Sequence, residues 1–529
     1  MYRIAEQRLS KLINRGGDSL LANSQIGLEK ESLRVSPEGS LAQTAHPSGL
    51  GSPLIHPHIT TDYSEALVEL VTPPCTTIQG ALDFLRDTQQ FVYGVMDKAP
   101  EHELLWATSM PCVVAGETSI PIAQYGSSNA GLMKTAYRRG LGHRYGRVMQ
   151  VIAGVHFNYS FPEHFWPVYQ DLEQNSDNAQ DFMSAQYFSL IRNLQRFGWL
   201  VPYLFGASPA VCKSFLGGKT SRLDSFNENT YFQEFATSLR MGDIGYQNNQ
   251  EAESGVKASY DGVDTYVASL TRAMETACPE YQKIGLQIDG TYQQLNANIL
   301  QIENEYYSTI RPKQINNAFE KPMHALKRRG VRYVELRSLD VNAYDPLGIN
   351  DRQLRFLEAF LVFCLLHESP PISAQERSEI DHNELATAHR GRDPLLQLQR
   401  RGSKISLKSW ADEIIESMVG ICELLDSGQN DSRYRDSLTF QAEKVRDPDC
   451  TPSARMLAEM REKNEGFFHF AMRMSQQHQA YFRSLPNNEE SAVKLRRQVE
   501  HSLLKQQEME SADDETFSRY LQRYFTQQL

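Results

Sequence analysis

Sulfur is scarce and scattered in this chain of 529 residues. Seven cysteines stand at 75, 112, 212, 278, 364, 422 and 450, odd in number and without a CxxC pair. That excludes a disulfide framework and a zinc knuckle, and it suggests a reducing cytoplasm. Cys112 is expected to be a buried thiol. Long apolar runs are missing too. The longest, Ala359 to Leu366, is under half of what a bilayer span needs. Arg3, Glu6, Arg8, Lys11 and Arg15 break up the N-terminus, so no secretory signal is expected. Positive charge is not in excess: 54 Lys and Arg face 65 Asp and Glu, for a net charge of −11. An acidic chain without a basic, aromatic-interleaved stripe is not expected to bind nucleic acid. Nucleotide motifs are absent as well. "FLGGKTSR" places Lys213 where a P-loop needs its first glycine, and there is no GxGxxG, HExxH, EF-hand loop or GxSxG elbow.

The remaining composition is that of a folded protein, with 40% apolar and 22% charged residues. No internal repeat is visible. The first two-thirds mix strand-like runs with helical stretches. Gly154 to Pro162, Arg332 to Leu339 and Leu28 to Val35 read as strands. From about Asp351 the pattern turns helical, beginning with Arg352 to His367, which stops before Pro370. Ser369 to Pro394 is polar and reads as a surface excursion. Glu490 to Phe525 reads as a charged helix with Val493, Val499, Leu503 and Leu504 on a loose stripe. The expected division is a sheet core over residues 1–350 carrying the active site, with a helical region over 351–529 packed on it.

Side chains at i and i+2 of a strand share a face. Three strands carry polar pairs of this kind: Glu29 and Glu31, His156 and Asn158, Glu335 and Arg337. One such strand alone would be a half-solvated strand of an antiparallel sheet. Three could put several carboxylates, a histidine and an arginine on one sheet face. "TTDYSEALVELVTP" adds Asp62, Glu65 and Glu69, with a Glu65–Glu69 spacing that suits a helix face or a strand face equally. Packed carboxylates repel and raise one another's pKa unless cations neutralise them. Oxygen ligands with one imidazole suit Mg²⁺ or Mn²⁺ rather than zinc, and such ions commonly hold substrate phosphates. Arginine beside them suits a transferring phosphoryl group. Glu303 and Glu305 are also i, i+2 on an expected strand and are read as structural.

Nine segments, in order, are more specific than their spacing: "GLEKESLRV", "TTDYSEALVELVTP", "SMPC", "QYGSSNAG…KTAYRRGL", "VIAGVHFNYSFP", "RFGWLVPYLFGASPAVC", "ATSLRMGDIGY", "LQIENEYYSTIRPK" and "YVELRSLDVNAYDPLG". Together they resemble the bacterial glutamate–cysteine ligase family of the glutamine synthetase-like superfamily, and the tail "KQQEMESADDETF" resembles that family's C-terminus. The resemblance implies an α+β fold: a curved, mainly antiparallel sheet with the active site on its concave face, helices outside and a helical C-terminal region. It implies ATP-dependent joining of L-glutamate to L-cysteine through γ-glutamyl phosphate, in a cytoplasmic protein expected to be a monomer. By the same resemblance Glu29, Glu31, Asp62, Glu69, His156 and Glu335 would hold up to three Mg²⁺ or Mn²⁺ ions around ATP. Arg337 would act on the transferred phosphate, and Asn158 would position substrate or nucleotide phosphate. Arg240 would pair with a substrate carboxylate, and Tyr137, Tyr246 and Tyr307 would shape the cysteine pocket. Arg311 and Lys313 of "IRPK" are candidate phosphate contacts, with a solvated turn as the equal alternative. Two other functions fit the same cluster: a ligase with a different amine acceptor, and a non-catalytic protein that binds a structural cation.

Overall fold

The structure is a computed structural model that describes residues 2–111, 114–218, 221–245, 257–427 and 431–527. Cys112 and Tyr246 lie outside the described residues.

Seven strands form the main sheet: β1 (Gln25–Val35), β2 (Ile59–Thr61), β3 (Leu67–Val71), β4 (Leu104–Leu105), β5 (Val155–Ser160), β6 (Ile310–Lys313) and β7 (Tyr333–Leu339). Their order is β6-β7-β5-β1-β3-β2, with β4 paired to one end of β1, and every pairing is antiparallel. Period-2 alternation sorts the side chains. Leu28, Phe157, Tyr159, Val334 and Leu336 point to one face and are fully buried. Burial at about 1.5–3 kcal/mol per large side chain makes this alternation decide the register. A slip of one residue would send the polar set into the core.

Helices cover the sheet. The helix Ile78–Met96 touches β1, and Ala179–Phe197 touches β6. Behind them runs Asp351–Leu366, held at its start by an Asn350–Gln353 capping box. Nearly all its residues are buried, Arg355 and Glu358 among them, as suits a largely apolar helix inside the body. One hydrophobic core runs from Tyr2 to Phe482.

Three sequence-based expectations need correction. Residues 369–394 are not a surface excursion: Ala374–Arg390 is a helix with Ser373 as its N-cap. Its inner face buries Glu379, Asn383 and Thr387 beside Ile380 and Ala388, so it shows little apolar contrast. Glu303–Glu305 is a 3₁₀ turn rather than a strand. In the helix Glu489–Ala512 the buried stripe is Leu495, Val499 and Ser502, whereas Leu504 is 59% exposed.

That last helix and the residues just after it reach the start of the helix Asn129–Tyr145. Glu510 Oε1 accepts the Ser127 backbone N–H at 2.8 Å, and Asp513 accepts that of Asn129. Asn129 Nδ2 donates to the Glu515 carbonyl at 2.9 Å. These groups sit at the start of the helix Asn129–Tyr145, where unpaired N–H groups and the helix dipole favour carboxylates. Gly126 lies at φ +84°, and a Cβ there would meet Gln506 and Glu510 at 2.2 Å.

Candidate active site

The register of the sheet assembles the polar face. Glu29 stands opposite His156, Gly27 opposite Asn158, Glu335 opposite Asn158, Glu31 opposite Glu69, and Arg311 opposite Glu335. Glu69 is therefore on a strand. Glu65 is not part of this face: its carboxylate accepts the backbone N–H groups of His46 (2.8 Å) and Gln124 (2.7 Å) in the turn before β3.

His156 is the hub. Its Nδ1 lies 2.9 Å from Glu29 Oε2 and 3.6 Å from Glu335 Oε1, and its Nε2 lies 3.7 Å from Glu31 Oε1. Asn158 Nδ2 donates to Glu29 Oε1 at 2.9 Å. Glu31 Oε2 accepts the Gly154 N–H at 2.7 Å. On the other flank Arg337 Nη1 donates to Glu335 Oε1 at 3.0 Å, and Lys313 Nζ lies 3.3 Å from Glu335 Oε2. Arg311 is no solvated turn. It sits on β6 and its Nη2 donates to the carbonyls of Asn304 (2.9 Å) and Tyr306 (2.6 Å). Asn158 Oδ1 and Arg337 Nε are buried and make no hydrogen bond among the described residues.

Charge is divided across this face. Burial and the repulsion of Glu29, Asp62 and Glu31 hold the Glu69 carboxyl well above the usual carboxylate range. Burial raises Glu31 as well, against the pull of His156. Burial acts in the same direction on Glu335, but Lys313, Arg337 and His156 outweigh it and hold that carboxyl well below the ordinary value. The sheet thus runs from a cation-rich flank at β6 and β7 to a carboxylate-rich flank at β1 and β3.

A cleft of about 370 Å³ lies over the face. Its lining includes Glu29, Glu31, Asp62, Glu69, His156, Glu335, Arg337, Arg240, Tyr137, Tyr307, Arg311 and Lys313. Asn158 is joined to it through Glu29. The opposite wall is the helix Asn129–Tyr145. It presents Lys134, Tyr137, Arg138, Leu141 and Tyr145, spaced at helical intervals on one side. Of these, only Tyr137 was singled out from sequence. Arg138 donates from Nε to the Asp62 carbonyl and stacks on Tyr125 at 4.6 Å, so the helix is fastened to the β2–β3 turn. Lys134 Nζ lies 5.0 Å from the centre of the same ring. Gln150 and Asn304 also line the cleft and were not singled out, and so does Glu305, read from sequence as structural. Glu305 forms an ion pair with Arg144 at 2.8 Å, with both side chains fully buried. No sequence signal separates these residues from ordinary polar ones. The lining helix has glycine and arginine on all sides, and only its packing shows which side matters.

The ligand atoms of Glu29, His156 and Glu335 lie within 4.8 Å of one another, close enough for one cation. Carboxylates with a single imidazole form a hard donor set for Mg²⁺ or Mn²⁺. The arrangement can therefore hold divalent cations at one end of a polyanion while arginine and lysine meet the other.

Comparison with known proteins gives a consistent result. Residues 9–387 match the family model described as glutamate-cysteine ligase. The glutamate–cysteine ligase of Alcanivorax borkumensis is 46% identical over 525 residues, covering 98% of this chain and 99% of that protein. That of Pseudomonas paraeruginosa is 44% identical over 524 residues, covering 99% and 98%. Among solved structures, glutamate–cysteine ligase from Francisella tularensis in complex with AMP aligns with a TM-score of 0.88 at 37% identity, covering 95% of this chain and 98% of that one. With the family model spanning most of its length and such relatives matching it end to end, the chain belongs to the glutamate–cysteine ligase family.

Proposed function

We infer that the chain is an ATP-dependent carboxylate–amine ligase that joins the γ-carboxyl of L-glutamate to the amine of L-cysteine, the first step of glutathione synthesis. One observation carries the reading. The segments that match the family gather their carboxylates, imidazole and guanidinium on one face of one sheet, inside one cleft. The similar structure from Francisella tularensis was solved with AMP, which supports an adenine nucleotide as co-substrate.

The reaction has two steps. A γ-carboxylate oxygen of glutamate attacks the terminal phosphorus of ATP, the bond to the bridging oxygen breaks, and ADP leaves. The neutral amine of cysteine then attacks the acyl carbon of γ-glutamyl phosphate, phosphate departs with the electron pair, and the nitrogen gives up a proton. An anion must attack a polyanion, so the site has to offset the repulsion.

We propose this division of roles. Glu29, Glu31, Asp62, Glu69, His156 and Glu335 hold Mg²⁺ or Mn²⁺. The donor set supports this, as do the raised carboxyls of Glu31 and Glu69, whose burial and repulsion a divalent ion would relieve. When bound, such ions neutralise phosphate charge. Arg337, with Nε unpartnered and its charge secured by Glu335, Glu31 and Glu29 against burial, meets the transferred phosphate. Arg311 and Lys313 extend the cationic flank along the phosphates. Asn158 orients Glu29 and offers its unpartnered Oδ1. Arg240 pairs with the glutamate carboxylate, while Tyr137 and Tyr307 shape the cysteine pocket. Tyr246 keeps the role expected from its segment. Lys134 and Arg138 add positive charge on the helix wall. Residues 351–529 belong to the same catalytic body as 1–350, since a single core runs through both. Small molecules in the cytoplasm, acted on by a monomer, complete the proposal.

Phosphate release from ATP, with Mg²⁺ and L-glutamate and with or without L-cysteine, tests it when the product is identified by mass. Cysteine-dependent release with γ-glutamylcysteine formed is expected. Release that does not prefer cysteine moves the question to the acceptor pocket. No turnover with any amine from folded protein favours the structural-cation alternative.

A further inference from the structure

A second cavity, of about 380 Å³, shares no lining residue with the cleft. Tyr2, the end of the helix Ala179–Phe197 and His367 form one side of it. The helix Ala374–Arg390, the hairpin strand Gln397–Arg400 and Trp410 of the helix Leu407–Ser417 form the other. Apart from Arg196 and Phe197, no residue of its lining belongs to the nine family-like segments.

Four rings shape the interior, none more than 6% exposed. Tyr2 and Phe197 stand 5.2 and 5.3 Å from His367, and Trp410 stands 6.3 Å from Phe197. Three of the rings bring a buried polar atom that makes no hydrogen bond among the described residues: Tyr2 Oη, His367 Nδ1 and Trp410 Nε1. Buried polar atoms nearly always find a partner, so three orphans around one cavity point to a ligand. The space is far more than the ~30 Å³ that one water takes. The polar groups also converge. Burial pushes the Tyr2 phenol up to about 12, and Trp410 and Arg400 pull against it from close by, although neither bonds to it in ordinary geometry.

Charge narrows the chemistry. Glu376 is held by Arg196 at 2.6 and 3.0 Å, and Glu379 Oε1 accepts the Gly402 N–H at 2.9 Å. Arg400 keeps Glu413 at 2.7 Å and lies 5.3 Å over the Trp410 ring. Arg401 and Glu368, both exposed, stand at the rim. Burial, with Arg196 and Arg401 nearby, holds the His367 imidazole down to about 4, so it is neutral at neutral pH. A ligand therefore meets an indole N–H, a phenol O–H and a neutral imidazole, beside arginines that are already paired. That set suits an acceptor with one delocalised negative charge. A phosphate dianion would find no unneutralised cation inside. The rings suit a flat body.

We propose that this cavity is a binding site for a small aromatic monocarboxylate, separate from the catalytic cleft. Ligand-observed NMR titration of the full chain tests it, with benzoate, benzamide and phenyl phosphate as probes. Saturable binding of benzoate is expected, with the other two weaker by about tenfold or more. ATP, Mg²⁺ and L-glutamate together should leave benzoate bound. Trp410→Phe keeps a ring and removes the N–H, and should weaken benzoate about tenfold. If that variant does not fold, Tyr2→Phe removes only a hydroxyl from the same cavity, and a loss of about three- to tenfold is expected. No saturable binding of benzoate up to about 10 mM overturns the proposal. Equal binding of benzamide or phenyl phosphate overturns the monocarboxylate. Unchanged benzoate affinity in a folded variant, or displacement by L-glutamate, places the probe elsewhere and overturns the site.

Discussion

Glu29 accepts bonds from both His156 and Asn158, so its carboxylate joins the two strands at the centre of the sheet. Glu29→Gln keeps the volume and one acceptor but removes the charge that a divalent ion requires. Ligation should fall by about 10³-fold or more, with the thermal midpoint within a few degrees of the parent. Loss of cooperative unfolding in that variant would mean a structural role instead. Arg337 is the sharper case. Arg337→Lys retains positive charge yet cannot keep Glu335 while also presenting a planar fork to phosphate. A loss of about 10²-fold in kcat is expected, and near-normal turnover would take Arg337 out of the chemistry. At this scale the sequence was informative. Polar pairs two residues apart in Glu29–Glu31, His156–Asn158 and Glu335–Arg337 are visible within windows of three, because strand geometry maps short spacing directly onto a face. Arg138 and Lys134 were not visible that way. Their meaning depends on which side of a helix meets the sheet, and the residues around that helix are not sorted by polarity.

The helix Asn129–Tyr145 and the turn at Glu303–Glu305 are locked together by Arg144. Its guanidinium reaches Glu305, the Gln294 side chain and the Asn296 carbonyl, and stacks on Tyr281 at 4.1 Å. Both partners of the ion pair are fully buried, so breaking it strands a carboxylate in the interior. Arg144→Met should destabilise the protein by about 3–5 kcal/mol, read as a lower urea midpoint. A shift below about 1 kcal/mol would mean that water reaches Glu305 when the helix loosens. Elements of this kind were the least legible. Glu303 and Glu305 alternate like a strand but form a 3₁₀ turn, because Glu305 Oε2 accepts the Gln301 N–H and draws the chain round. The helix at 374–390 was missed for a related reason: hydrogen bonds, such as Asn383 to the backbone of Gln399, carry much of its packing.

Across the whole molecule, helices are joined by buried cations as well as by apolar contact. Lys444 donates to the Leu204 carbonyl at 3.0 Å and sits over the rings of Phe205 and Phe440. Burial pushes its ammonium down to about 7, whereas an unfolded lysine titrates near ~10.4. Between those values the unfolded chain holds a proton that the folded chain does not. Stability therefore rises with pH through that window, by up to about 1.4 kcal/mol per unit from this group. Lys444→Met removes the term, so the variant should compare better with the parent at pH 7.5 than at pH 9.5 in urea unfolding. An identical difference at both pH values would show that Lys444 stays protonated in the folded state. The broad architecture was legible because strand alternation and the largely apolar Asp351–Leu366 helix are local signals. The long-range joints, Lys444 among them, follow from pairings no local window contains.

The clamp at the start of the helix Asn129–Tyr145 sets an order of events during synthesis. Asp513 binds Asn129 across 384 positions of chain. A ribosome that has made the whole sheet face has not yet made the carboxylates that meet the start of that helix. A nascent chain arrested before Asp513 carries every carboxylate of the cluster while the Asn129 N–H still waits for its partner.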